Sequence, residues 1–189
     1  MSTNTVTVSM AFLTWFRVGA AYPLDGLDLS VDHDDPVPAD HVRGLMRAEA
    51  RWLVSLGVGT DRLVAEVFGT SGSPGAWAWG PVQPTQPWRF EHRHRVAIDD
   101  ATHAARGDQL VAGEVAWAPE ADLRITQVRH VPVVADHERL LRLAACSVHH
   151  IGSWRRRGLG AVRVTTDPPP CEADIKELRH LAPGQGVSA

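Results

Sequence analysis

The residues of this chain that can do chemistry fall into separate clusters. Arginine supplies eighteen of the nineteen basic residues, and Lys176 is the single lysine. The arginines gather at Arg43, Arg47 and Arg51, at Arg89, Arg93 and Arg95, and at Arg155, Arg156 and Arg157. A guanidinium is planar and carries a fork of donors that matches two phosphate oxygens, so such clusters suit a phosphate-bearing partner. A GC-rich genome produces the same arginine bias by default. The acids gather elsewhere, from Asp25 to Asp40 and in the tail. Carboxylates can hold a divalent cation or move a proton. The histidines invite a metal, but no Cys/His spacing matches a zinc site. His149 and His150, adjacent on a helix, would point about 100° apart.

The chain has 189 residues with 44% hydrophobic and 22% charged, which supports one domain with a packed core. A net charge of -3 argues against indiscriminate coating of nucleic acid. No run approaches the ~20 apolar residues of a membrane helix. The opening MSTNTVTVSM lacks the basic-then-apolar pattern of a secretory signal. Two cysteines, Cys146 and Cys171, cannot make a disulfide framework. A soluble, cytoplasmic protein with no membrane partner is expected.

Periodicity supplies the elements that would position these groups. Residues 5–18 begin with strict alternation, Val6, Val8 and Met10 against Thr5, Thr7 and Ser9, which predicts a first strand. A Gly/Pro/Asp-rich loop over 19–36 leads to a helix over about 40–56, with Asp40 as N-cap and Gly57 and Gly59 as stops. A short helical piece follows at 61–67, then a Trp/Pro/Gly stretch at 76–88 whose Trp77, Trp79 and Trp88 are core or rim residues or surfaces for stacked bases. Strands are expected at 89–98, 110–117 and 122–134. A second helix is expected at 136–151, capped by Asp136, then a glycine-rich turn at 152–160 and a last strand at 161–165. A short helix around 173–181 and a loose end close the chain. The order predicts an α+β, ferredoxin-like (RRM-like) antiparallel sheet carrying two helices, with an inserted loop and hairpin at about 70–115. Residues 1–166 form that single domain and 167–189 a C-terminal extension.

Three segments in this order, GLDLSV…VPADHVRGLMRAEA at 26–50, VAEVFGTSG at 64–72 with RHRVAIDDATHAARGDQLVAGEV at 93–115, and WRRRGLGAVRV at 154–164, resemble the RAMP superfamily of CRISPR effector proteins. The likeness spans roughly residues 5–165 and is greatest to the guide-RNA-binding backbone subunits of type III complexes. It implies guide RNA, complementary target RNA and other effector subunits as partners, with assembly in several copies or beside related subunits. It places Asp28 where some such subunits carry an aspartate that supports target cleavage, with Mg²⁺ bound by that same Asp28. Asp25, Asp32, Asp34 and Asp35 keep that role open, and an Asx turn is the plain alternative for any of them. Cleavage of this kind needs a 2′-hydroxyl in line with the adjacent phosphorus; the resemblance implies a protruding hairpin that splays the RNA, and residues 88–114 are the candidate.

The resemblance also assigns RNA contacts. His41, Arg43 and Arg47 lie at the start of the first helix, Arg93 and Arg95 on the hairpin, and Arg155, Arg156, Arg157, Gly158 and Gly160 in the glycine-rich turn. The helix start departs from the family pattern. Ala39 replaces a glycine, and Asp40-His41 replace a small hydroxyl pair; an acid there repels phosphate. The alternatives are a non-catalytic structural subunit of the same superfamily, a guide-processing endoribonuclease, and a ferredoxin-like binding protein outside it.

Overall fold

The computed structural model describes residues 4–20, 27–96, 101, 103–104 and 110–181. Asp25 and most of the segment between residues 97 and 109 lie outside the described residues. The central strand β1 (Thr5–Phe12) buries every second residue, from Val6 to Phe12, as its alternation predicts. It pairs antiparallel with β6 (Glu120–Gln127) on one side and β7 (Val162–Asp167) on the other. The edge beyond β6 is shared by β2 (Trp77–Trp79) and β3 (Gln83–Pro84). The main order is β2-β6-β1-β7, with every pair antiparallel. Helices α1 (Ala39–Ser55) and α3 (Val134–Cys146) cover the apolar face, with α2 (Asp61–Phe68) beside them. This is an α+β, ferredoxin-like fold.

Helix α1 sends Val42, Met46, Ala50 and Leu53 into the core, one turn apart. Its start differs from expectation. Pro38 is the N-cap, and its carbonyl accepts from the His41 and Val42 N–H groups. Asp40 sits inside the first turn and pairs with Arg43 at 3.3 Å, where a negative charge complements the helix dipole. The same shift occurs in α3: Val133 is the cap, and Asp136 pairs with Arg139 one turn on at 2.7 Å. That helix stops at Cys146 rather than 151, because His150 leaves it to bridge Ala161 beside β7.

Other boundaries also move. β1 ends at Phe12, not residue 18, and Phe16 instead bridges Ala116. β6 ends at Gln127, not 134. Trp77 and Trp79, read as part of a loop, form a strand. Trp77 is buried and donates its indole N–H to His137 Nδ1 at 3.1 Å, which removes it as a surface for bases. Trp79 leans on Phe68, and Trp88 packs edge-on against Phe12 and Phe16. Within the C-terminal segment, α4 (Glu172–His180) is docked: Leu178 is fully buried and Asp174 accepts from Arg142 at 2.7 Å.

Between β3 and β6 the chain builds a separate two-stranded sheet from β4 (Arg89–Arg95) and β5 (Val111–Trp117). Alternation gives this hairpin two unlike faces. Arg89, Glu91, Arg93 and Arg95 share one face with Val111, Gly113, Val115 and Trp117. Phe90, His92 and His94 share the other with Ala112, Glu114 and Ala116.

Candidate nucleic-acid interface

The arginine face of the hairpin meets the glycine-rich turn through one ring. Trp154 adopts a left-handed backbone conformation, φ 64°, ahead of a 3-10 turn over Arg155–Arg157. Its indole lies on Gly113 of β5, where any Cβ would collide with the ring. The Arg95 guanidinium stands 4.8 Å from the ring centroid and that of Arg17 stands 5.5 Å from it. Further along the same face, Arg93 lies over Trp15, Arg89 lies over Trp117, and the Trp15 and Trp117 rings sit 6.2 Å apart. The result is a ladder of arginines interleaved with indoles. Ring contact occupies the guanidinium face and leaves its in-plane donors available.

The glycine-rich turn is tied down by backbone bonds. Ser153 N–H reaches the Arg17 carbonyl at 2.7 Å and Gly160 N–H reaches that of Trp15 at 2.7 Å. Gly160, at φ 80°, closes so tightly that a Cβ would strike the Ile151 carbonyl. Arg155, Arg156, Arg157 and Gly158 remain exposed. Burial first, then the adjacent Arg95 cation, pushes the Arg17 pKa down. Among the described residues no carboxylate stands within ion-pair distance of Arg17, Arg95, Arg155, Arg156 or Arg157. Several like charges held close without acids favour a polyanion.

The start of α1 joins this surface through His41, whose Nε2 accepts the Gly152 N–H at 3.1 Å. Burial, and secondarily the Arg155 cation, hold the His41 pKa below its ordinary value, so the ring stays neutral and keeps that bond. His41 therefore positions the turn. Arg43 lies about 200° further around the helix and faces elsewhere. It donates to the Phe68 carbonyl at 2.7 Å and covers Trp79 at 5.6 Å. Arg47 is half-buried one turn on. The structure thus brings together His41, Arg93, Arg95 and the Arg155–Gly160 turn, and sets Arg43 apart from them.

Asp28 is stitched to β5. Its N–H and that of Leu29 reach the Ala112 carbonyl at 3.0 and 3.2 Å, and its Oδ2 accepts the Ala112 N–H at 2.8 Å. Leu29 bridges Gly113 in parallel, so the acidic loop extends the hairpin by a short third strand. One Asp28 oxygen remains free of this pairing. Asp32 Oδ1 accepts from the Asp34 and Asp35 N–H groups at 2.9 and 3.3 Å, the Asx-turn alternative realised. Among the described residues no three His, Cys, Asp or Glu side chains converge to hold an ion.

Sequence reasoning missed Arg17, Trp15, Trp154 and Glu114. Glu114 is 2% exposed on β5, and its Oε2 accepts the Val31 N–H at 3.2 Å. The available signal was a lone acid inside the apolar run LVAGEVAW, where a charge must find partners.

No family model matches this chain, and no curated protein matches it. Among solved structures it is similar to a chain of the cryo-EM structure of the Type III-B Cmr-beta bound to cognate target RNA. The TM-score is 0.65 at 14% identity, and the match covers 87% of this chain and 60% of that one. At that identity the likeness is one of fold, and this chain spans about three fifths of the other's length.

Proposed function

We propose that this chain is a guide-RNA-binding backbone subunit of a type III CRISPR ribonucleoprotein effector. The observation that carries the reading is the joining of the hairpin arginines, Arg17 and the arginine-rich glycine turn around Trp154. The fold shared with a chain of an RNA-bound Cmr-beta assembly supports it. Guide and target pair with each other, so the protein reads backbone shape, and a strip of guanidiniums backed by indole rings suits that task. The indoles between them offer faces on which a displaced base can stack. Target RNA and other effector subunits are the partners, with several copies or related subunits arrayed along one guide.

Asp28 is the carboxylate nearest to the proposed cutting role, but its bonds to Ala112 also favour a second reading. In that reading Asp28 is a loop clamp and the chain is a structural subunit that binds without cutting. Purification of the chain with its effector neighbours tests the first reading: it yields RNA of fixed length, bound with an affinity that falls steeply as salt rises. Purified material free of nucleic acid ends the proposal. Cleavage of a complementary target at regular steps, lost in Asp28→Ala, separates cutter from scaffold.

A further inference from the structure

We infer that the groove between α1 and the segment from Ser147 to Arg155 binds a nucleotide, with its base stacked on Trp52 and its phosphate on Arg155. The cavity holds about 500 Å³, within the range of small-ligand sites. Leu45, Glu49 and Trp52 supply its α1 wall, and His149, His150 and Arg155 supply the other. A nucleotide of an RNA strand in this groove rests on the RNA-binding reading above; a free nucleotide does not.

The helix builds this wall from residues that its core does not use. Val42, Met46, Ala50 and Leu53 already form the buried stripe. Leu45, Glu49 and Trp52 recur at intervals of four and three residues, so they share the stripe beside it. From Leu45 to Trp52 the wall runs two turns, about 10 Å. Trp52 is 54% exposed, and an indole left half in water is a surface on which a flat solute can stack. The rings of Trp15, Trp117 and Trp154 are covered by arginines. No such cation covers Trp52 among the described residues.

Two charged groups divide the recognition. Arg155 is exposed and lies toward the start of α1, where His41 feels its charge after the larger effect of burial. A guanidinium placed there meets a phosphate. Glu49 precedes Trp52 by three residues and lies on the same flank of the helix. Among the described residues its carboxylate meets no cation within ion-pair distance. An ionised carboxylate only accepts, so it selects a base edge that donates. Adenine, cytosine and guanine offer an exocyclic amine; uracil offers only its ring N–H. His149 and His150, both exposed, can add donors from the facing wall. An enclosed apolar slot would suit the side chain of another protein. An open groove with one flat ring, one cation and one acceptor suits a nucleotide.

The test uses the full chain with nitrogen-labelled indoles, in which the Trp52 resonance is the one lost in Trp52→Phe. Adenosine monophosphate is expected to move that resonance at roughly tenfold lower concentration than uridine monophosphate, and inorganic phosphate to leave it in place. Glu49→Gln is expected to erase the preference. In parallel, a single-stranded adenosine hexamer is bound at several salt concentrations. Trp52→Leu is expected to weaken that binding about 5–100-fold with salt slope and unfolding midpoint unchanged, whereas Arg155→Gln lowers the slope. A response to the hexamer alone assigns the groove to an RNA strand, and a response to the mononucleotide alone assigns it to a free nucleotide; both uphold the site. A Trp52 resonance that the mononucleotide leaves in place, with equal hexamer affinity in Trp52→Leu and wild type, overturns the inference and leaves the RNA-binding proposal standing. A wild-type chain that binds no RNA but whose Trp52 resonance still moves ends that proposal and leaves the groove.

Discussion

The two faces of the β4–β5 hairpin handle charge in opposite ways. On one, guanidiniums rest against indoles and face no acid partner among the described residues, apart from the Arg93–Glu91 pair. On the other, a single carboxylate is buried and its oxygens are engaged by Val31, His33 and His92. Aromatic contact holds a cation while leaving its donors unspent; hydrogen bonding holds a charge by consuming its acceptors. The first arrangement suits a surface that waits for a partner. The second fixes geometry and anchors the acidic loop. A seven-residue strand carries both because alternation keeps them apart.

Variants that affect the faces differently sharpen this contrast. The largest effect is expected at Gly113, which sits beneath Trp154. Gly113→Val forces the indole away, costs about 1–3 kcal/mol in denaturant unfolding by overpacking, and weakens RNA binding in parallel. Unchanged stability and affinity would show that the ring does not couple the turn to the hairpin. Glu114→Leu leaves the Val31 N–H without its acceptor and costs about 1–3 kcal/mol, measured the same way. The salt dependence of RNA binding stays the same in that variant; a change there means the faces are not independent.

Arg95→Gln reverses the pattern. The lost cation–π contact costs only about 0.5–1 kcal/mol. The slope of log affinity against log salt, however, falls by about 0.7 for each phosphate contact removed from a single strand. Arg43→Gln, on the far side of α1, should leave that slope alone, and an equal drop would move the interface to the Phe68–Trp79 side.

The smallest effect concerns pH. His41 is held below its ordinary value of 6.5 and accepts the Gly152 N–H only when neutral. The unfolded chain therefore takes up the proton first on acidification. The contribution of His41 is complete above pH 6.5 and declines as pH falls from there toward the lowered folded-state value. A comparison of unfolding midpoints across this range should show a shallower acid slope in His41→Gln. Parallel slopes would remove His41 as the tether of the glycine turn.

The core was legible because hydrophobic period is a local property. Val6, Val8 and Met10, and Val42, Met46 and Leu53, sit inward as their spacing requires. The helix starts were not, because Asp40 and Asp136 are strong caps in isolation, yet the preceding residues already have their carbonyls turned into the first turn. Trp77 and Trp79 looked like loop because Gly and Pro surround them; pairing with β6 overrides that. The site was half visible. Arg93, Arg95 and Arg155 declare themselves by clustering, and the structure joins them. Arg17, isolated in the sequence, meets Ser153 and Trp154, 136 and 137 residues away, contacts that no spacing rule encodes.

The way β5 is hemmed in decides which edge of the hairpin is left open. Its outer ladder is closed at two points, by Phe16 at Ala116 and by Leu29 at Gly113. Among the described residues the long open rim of the hairpin is β4, whose run from Arg89 to Arg95 is charged or imidazole-bearing at every position but Phe90. A strand laid along that rim would meet Arg89, Arg93 and Arg95, charged side chains of the kind that discourage edge-to-edge pairing into a continuous sheet.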